Sequence, residues 1–262
     1  MANIQYPVTI FSVPHLLFMA VLIPAAILSA FYLSKKYGFT KKIIWICAII
    51  GLLCELERML FFLEETTGGY RLPGDFLPFN LCPFQVILIF ILAFSEDIKK
   101  HKLLLSFMYP SLVGGAFIGT LIPAAATNYH GLLELATYRY FFFHAMLMFL
   151  GFYLYLSKPI QYKLRDYATG LFFTFISLIF AVWINAFFGW DPEVNHMFVV
   201  RPPIDGLPIL NFNKGWLFYM FHMVWIGILL ITLCYLPVII KDTPILIKGI
   251  KEKFKNNQHN SV

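Results

Sequence analysis

Charged residues are scarce in this chain of 262 residues. Asp, Glu, Lys and Arg make up 13% of it and hydrophobic residues 60%, against about 25% and about 45–50% in a soluble domain. So few polar side chains could not cover the surface of a soluble fold, which excludes a soluble globular protein. The high hydrophobicity excludes a disordered chain, and four cysteines are too few for a secreted disulfide scaffold. The composition indicates an integral membrane protein.

Metal-binding patterns are also missing. The sequence has no CxxC pair and no Cys/His spacing typical of zinc ligands, so we predict neither a metal site nor a cofactor. The net charge of +6 comes from lysines beside apolar segments and indicates topology, so no nucleic acid partner is expected. Membrane lipids are the expected partners, and no obligate protein partner is implied.

Seven apolar segments can cross a bilayer as helices, which takes about 20 residues each. They cover residues 10–33, 43–63, 77–94, 103–126, 140–156, 167–188 and 216–240. The third and the fifth are the shortest. We predict an all-α integral membrane protein, with one seven-transmembrane-helix domain over residues 1–240 and a basic cytoplasmic tail over residues 241–262.

The distribution of Lys and Arg predicts how the chain is threaded. Fifteen of the 20 lie in loops on one side of the seven spans or in the tail; Arg71, Arg139, Arg201 and Lys214 lie on the other side. Cytoplasmic loops carry the excess of Lys and Arg. The N-terminus is therefore expected outside and the C-terminus in the cytoplasm, in a multi-pass protein of the cell membrane, in bacteria the inner or plasma membrane.

Few polar side chains fall inside the spans, and such residues mark functional sites by default. They are His15, Glu55, Glu57, Arg58, Asn80, Cys82, Gln85, His144, Asn185 and His222. In the predicted topology all of them lie in the outer half of the membrane. We therefore expect a polar chamber that opens outward.

Each of these residues also has a structural interpretation. Glu55 and Arg58 stand at i,i+3 and can form an ion pair within one helix, or they can bind substrate. Glu57 points elsewhere and needs another partner, a proton or a ligand. His15, Gln85, Asn185 and His222 can each serve as hydrogen-bonded links or packed residues rather than as ligands.

Cys82 and His144 are the candidates for a catalytic nucleophile and its base. Pro83 is favoured at the first position of a helix, which predicts Cys82 at the N-cap, where the helix dipole stabilises a thiolate. A histidine at similar depth on another span can accept the thiol proton, as in an activated nucleophile for acyl transfer. Amides at the helix start, or Asn185, can then stabilise the oxyanion.

A succession of short motifs resembles a known family. The segment 77–82, Leu-Pro-Phe-Asn-Leu-Cys, resembles Leu-Pro-Leu-His-Leu-Cys of the YwaF-like integral membrane proteins of bacteria. Four further motifs follow in the same order: Phe141 to His144, Trp183 to Asn185, Asn195 to Phe198 with Arg201 and Pro202, and Trp216 to Tyr219. That family is in turn similar to the transmembrane protein 164 acyltransferases, which remodel ether phospholipids with a conserved cysteine.

The resemblance implies a lipid acyltransferase that moves a fatty acyl chain from a phospholipid to a lysophospholipid or a related acceptor. Cys82 would carry the acyl group, His144 would be its base or acid, and Asn185 would assist. Substrate contacts are expected from Asn80, Gln85, Glu55, Glu57, Arg58, Asn195, Arg201 and His222. Two positions depart from the motifs, since Asn80 and Ala145 stand where histidines are expected.

Two other functions remain open on the residues alone. A transporter or channel could use Glu55, Glu57, Arg58 and the histidines as a solute path, although the inner halves of the spans are almost purely apolar. A seven-helix receptor could bind a ligand in the same outward-facing pocket, although the cytoplasmic loops are short.

Overall fold

The computed structural model describes residues 8–66, 69–123, 131–191, 194–203, 209–210 and 212–259. Within these residues the chain forms a bundle of long helices. They are α1 (Val13–Tyr37), α2 (Lys41–Phe61), α3 (Leu81–Phe94), α4 (Ile98–Leu121), α5 (Leu135–Leu156), α6 (Leu164–Phe187) and α7 (Trp216–His259). A short antiparallel pair, β1 (Glu64–Thr66) and β2 (Gly69–Arg71), joins α2 to α3.

The helices bear out an all-α membrane protein. In the described part of the chain, five helices are long and apolar enough to cross a membrane: α1, α4, α5, α6 and the portion Trp216–Pro244 of α7. α2 has the length, but Glu55, Glu57 and Arg58 put three charges into its apolar stretch, and α3 has only 14 residues. The seven crossings and the orientation of the termini therefore stay predictions.

Two helices form the centre of the bundle. In their most apolar stretches, 61% of the residues of α4 and 56% of those of α5 are buried, against 11% for α1, 22% for α6 and 17% for α7. α1 is thus very apolar and yet has little protein around it, and Val21 and Leu28 are largely exposed. Lipid has to cover such a surface, because protein does not.

Several helix boundaries differ from the predicted ones. α5 begins at Leu135, five residues before the predicted span, so Arg139 lies inside a helix instead of a loop. α4 ends at Leu121, and residues 124–126 of the predicted fourth span lie outside the described residues. α7 continues past residue 240 to His259, so the first part of the basic tail extends the last helix.

α4 changes its helical form midway. It begins with a 3₁₀ turn over Ile98–His101, continues as an α-helix over Lys102–Pro110, widens into a π-helical segment over Ser111–Gly115 and returns to α over Ala116–Leu121. Such π-segments are frequent at functional sites. This one packs against α3, α5 and α7.

Tyrosines cluster where α4, α5, α6 and α7 meet away from the predicted polar chamber. Tyr109 stacks on Tyr155 with ring centroids 4.8 Å apart and meets Tyr235 edge-on at 5.4 Å. The Tyr235 hydroxyl donates to the Ser106 carbonyl at 2.9 Å, and Asp166 pairs with Lys102 nearby on the adjoining turns of α6 and α4. Hydropathy had suggested an almost purely apolar inner half. The structure adds polar contacts there, since the Tyr109 and Tyr235 hydroxyls donate to the Cys234 and Ser106 carbonyls.

Candidate functional site

The first turn of α3 carries Cys82, but not at the predicted N-cap. The helix begins at Leu81, and its N-cap is Asn80, whose backbone is extended and whose carbonyl accepts the first helical hydrogen bond from the Phe84 N–H at 2.9 Å. Cys82 is therefore the second helical residue. The predicted N-cap position was wrong by two residues, because Pro83 fits anywhere in a first turn, where no N–H has a helical acceptor.

The thiol of Cys82 is half-buried at the start of this helix. Its neighbour Leu81 packs against Gly115 of α4, where an added Cβ would lie 2.9 Å from the leucine Cδ2. Cys82 itself packs against the main apolar core of the bundle.

His144 is buried on α5, with a defined proton arrangement. Its Nδ1 lies 2.8 Å from the Tyr140 carbonyl oxygen. A carbonyl oxygen only accepts, so Nδ1 carries the proton and Nε2 of the neutral ring keeps its lone pair. The ring lies over Gly119 of α4, where an added Cβ would come within 2.5 Å of Nε2. Glycine at position 119 therefore makes room for the imidazole.

Gly115 and Gly119 bring Leu81, the residue before Cys82, and His144 to adjacent turns of α4. The two glycines are four residues apart, which is about 6 Å along a helix. Leu81, beside Cys82, packs on Gly115, and His144 packs on Gly119. The GxxxG spacing is typical of close helix packing, and here it lets α3 and α5 pack against the same stretch of α4.

Tyr140 was not among the residues predicted for the site, although it contacts most of this arrangement. Its carbonyl binds His144, its ring centroid lies 4.3 Å from that of the imidazole, and its hydroxyl donates to the Gly119 carbonyl at 2.8 Å. In sequence it is one of many aromatic residues at the start of a span. Its position one turn before His144 was the available signal.

The charged residues of α2 are paired. Arg58 donates to Glu55 Oε2 from Nε at 3.0 Å and from Nη2 at 2.7 Å, and Nη2 also donates to the Phe76 carbonyl at 2.8 Å. Glu57 forms an ion pair with Arg139 of α5. The ion pair of Glu55 with Arg58 follows the helical spacing, whereas Arg139 was missed because the sequence assigned it to a loop.

Two asparagines hold the connections next to α3 and α6. Asn80 Oδ1 accepts from the Met197 N–H at 2.6 Å. Asn195 accepts from the Val200 N–H at 3.0 Å through Oδ1, donates to the Arg201 carbonyl at 2.9 Å through Nδ2, and its own N–H donates to Asp75 at 2.8 Å. Both side chains thus organise the segment 194–203 over the start of α3.

Asn185 is fully buried at the end of α6, and both the nitrogen and the oxygen of its side-chain amide are hydrogen-bonded. Its Nδ2 donates to the Ala181 carbonyl at 2.7 Å and to the His196 carbonyl at 3.0 Å, and its Oδ1 accepts from the His196 N–H at 3.1 Å. An amide nitrogen has two hydrogens, and both are used here. Asn185 therefore has no N–H left for an oxyanion in this conformation.

Three other predicted residues are hydrogen-bonded to groups other than Cys82 and His144, and a fourth is exposed. Gln85 donates to Ser111 Oγ at 2.8 Å and links α3 to the π-segment of α4. His222 binds the Phe218 carbonyl within α7 through Nδ1 at 2.8 Å, and the Arg201 side chain is exposed. His15 accepts from the Phe11 N–H and donates to the Thr120 carbonyl, which joins α1 to α4.

The residues predicted to line one chamber thus divide into groups. His144 lies on Gly119 of α4, and Leu81, beside Cys82, packs on Gly115, while the α2 charges and the loop asparagines mostly bind one another or the backbone. A separate open groove of about 430 Å³ lies between α1, α2 and α5 and is lined by Phe18, Leu22, Cys54, Leu135, Tyr138, Arg139 and Phe142. Its lining is mainly apolar, so it faces the bilayer more as a lipid-accessible surface than as a polar chamber.

Comparison with known proteins gives the relationship of the chain. The model of the TMEM164 family matches residues 10–235, which include α1 to α6 and most of the membrane portion of α7. The chain belongs to the TMEM164 family. No curated protein and no solved structure matches it.

Membership in the TMEM164 family confirms the relationship inferred from the motifs around Cys82 and His144, and it identifies a multi-pass membrane protein. The matched region contains every residue that was predicted for the site. The narrower likeness to the YwaF-like bacterial proteins stays a prediction.

Proposed function

We propose that this member of the TMEM164 family is a membrane-embedded acyltransferase that moves a fatty acyl chain between a phospholipid and a lysophospholipid or related acceptor. Cys82 is its nucleophile and His144 its base. The observation that carries the proposal is that both regions pack on the same stretch of α4. Leu81, beside Cys82, packs on Gly115, and His144 packs on Gly119 one turn away.

The proton on His144 suits this role. The Tyr140 carbonyl holds the Nδ1 proton, so Nε2 has a free lone pair for the thiol proton. The thiolate attacks the ester carbonyl carbon of the donor lipid. The C–O ester bond then breaks, and the lysolipid alkoxide takes the proton back from His144. Cys82 is left as a thioester.

The second half-reaction reverses these steps with another alcohol. The acceptor hydroxyl gives its proton to His144 Nε2, its oxygen attacks the thioester carbonyl, and the C–S bond breaks. The thiolate then recovers the proton from the imidazolium. Neither half-reaction consumes an oxidant, a reductant or a metal.

Oxyanion stabilisation falls to the first turn of α3 in this proposal. The Leu81 and Cys82 N–H groups precede the first helical hydrogen bond, which begins with the Phe84 N–H. Such amides point along the helix axis towards negative charge. Asn185, which the sequence had suggested for this task, is bound to Ala181 and His196 instead.

The same observations make a transporter the weaker interpretation. A solute path through Glu55, Glu57 and Arg58 needs charged groups that can exchange partners. Glu55 is bound to Arg58 within one helix, and Glu57 is paired with Arg139. Acyl transfer needs no path across the bilayer, and lipid tails can reach the outer ends of the helices from the membrane itself.

Acyl transfer can be tested with the full chain reconstituted in phosphatidylcholine vesicles that contain an isotope-labelled acyl donor and a lysophospholipid. We expect label to reach the acceptor and a thioester adduct to appear on Cys82 by mass spectrometry, both abolished by Cys82→Ala. Cys54→Ala is the matched control, since it removes another half-buried thiol from the neighbouring helix. Transfer by Cys82→Ala at the wild-type rate would overturn the proposal.

A further inference from the structure

Tyr140 contacts both the candidate base of the proposed acyl transfer and the glycine beneath it. Its carbonyl oxygen binds His144 Nδ1 at 2.8 Å, and its ring centroid lies 4.3 Å from that of the imidazole. Its hydroxyl donates to the carbonyl of Gly119, the residue under the imidazole, at 2.8 Å.

We propose that Tyr140 is a positioning residue whose ring and carbonyl orient His144 and whose hydroxyl holds α5 against α4, so that the imidazole stays over Gly119. The inference rests on the proposed function of Cys82 and His144. It adds a third side chain to that site and assigns a function to the link between the hydroxyl and α4.

Charge separation makes the position of His144 important. When the thiol proton moves to Nε2, an imidazolium and a thiolate form in surroundings with little water. The Tyr140 carbonyl then accepts a stronger, charge-assisted hydrogen bond from Nδ1. The hydroxyl supports the same position, because its hydrogen bond to the Gly119 carbonyl holds α5 against the residue on which the imidazole lies.

The hydrogen bond from the Tyr140 hydroxyl also fixes how two helices pack. It holds the first turns of α5 against the end of α4 at Gly119, the glycine on which His144 lies. A phenylalanine at this position keeps the ring stacked on the imidazole and leaves the backbone carbonyl in place. Tyr140→Phe therefore removes the hydroxyl alone.

The experiment compares Tyr140→Phe with wild type in the same reconstituted transfer assay. We expect kcat to fall by about tenfold, as for one lost buried hydrogen bond, with little change in KM for either lipid. Tyr138→Phe is the control, because it removes a hydroxyl two residues away on the exposed side of α5. It should leave kcat and KM unchanged.

A double-mutant cycle separates a positioning role from a structural one. In a His144→Ala background, thiolate formation no longer depends on the imidazole, and Tyr140→Phe should lower the residual rate by no more than about twofold. Full additivity of the two substitutions would overturn the inference, as would wild-type kcat in Tyr140→Phe while Cys82→Ala is inactive. Activity in Cys82→Ala would instead overturn the proposed function itself.

Discussion

The imidazole of His144 lies directly on Gly119, close enough that a single added methyl group would come within 2.5 Å of Nε2. Glycine is required there by the space it leaves, since its position in a continuous helix needs no unusual backbone angle. The relationship connects the end of α4 with the candidate base of the proposed reaction. It also makes position 119 a direct test of whether His144 has to stay where it is.

Gly119→Ala should displace the His144 ring. We expect a loss of about 1–3 kcal/mol in the free energy of unfolding, as for other overpacked positions, and a loss of acyl transfer of at least about tenfold, the kinetic equivalent of about 1.4 kcal/mol. Thermal unfolding in detergent and the vesicle assay measure the two effects. Gly227→Ala in α7 is the control, because a Cβ there meets nothing within 4 Å. Normal activity in Gly119→Ala would show that the imidazole can move without consequence.

Asn185→Asp should destabilise the segment that follows α6. The change places a carboxylate oxygen where Nδ2 now donates to the Ala181 and His196 carbonyls. Two favourable contacts become repulsive in a fully buried site, so we expect a loss of about 3 kcal/mol. Thermal unfolding and limited proteolysis of residues 194–203 provide the measurements.

The control for this substitution is Gln161→Glu, the same amide-to-acid change at an exposed position. It should unfold within about 0.5 kcal/mol of wild type. If Asn185→Asp folded as stably as this control, the amide of Asn185 would be dispensable for holding the segment.

Removing one partner of the ion pair between α2 and α5 should destabilise the protein more than removing both partners. Arg139→Gln leaves the Glu57 carboxylate without its partner; removal of one partner from a fully buried pair costs about 3–5 kcal/mol. The Glu57 side chain is 33% exposed, and water therefore reduces the expected loss to about 1–3 kcal/mol. Glu57→Gln combined with Arg139→Gln should recover part of it in thermal unfolding. A double variant as unstable as the sum of the two single variants would contradict a direct pairing.

Acid should weaken the segment that contains His196. Burial, the largest influence, lowers the pKa of this imidazole; Asp75 opposes the shift, Arg58 adds to it, and the Gly74 backbone opposes it. The unfolded chain therefore takes up a proton on His196 more readily than the folded chain. Stability from this group is complete above the ordinary value of about 6.5 and is lost as the pH falls below it.

Thermal unfolding between pH 7.5 and pH 5 measures this loss, with His196→Phe as the comparison. A phenyl ring can keep the packing on Phe79 and Phe188 but cannot take up a proton. The variant should therefore lose less stability on acidification than wild type. Equal slopes for the two proteins would place the pH dependence on other groups.

Much of the site could be proposed from residue types and their spacing. Cys82 and His144 stood out because ionisable groups are rare in apolar spans. The i,i+3 spacing of Glu55 and Arg58 predicted a pair that the structure contains. Arg139 could not be found in this way, because its helix begins in a sequence that reads as a loop, and Tyr140 was hidden among the many aromatic residues of α5.

The amino-acid sequence by itself determined that the chain is helical, membrane-embedded and a member of the TMEM164 family. A bilayer imposes long apolar segments with internally bonded backbones, and those segments can be counted without knowing how they pack. Only the tertiary structure decided which side chains meet. Partner choice depends on how each helix is rotated and how closely two backbones approach. On α4 both depend on small contacts at Gly115 and Gly119, which hydropathy does not encode.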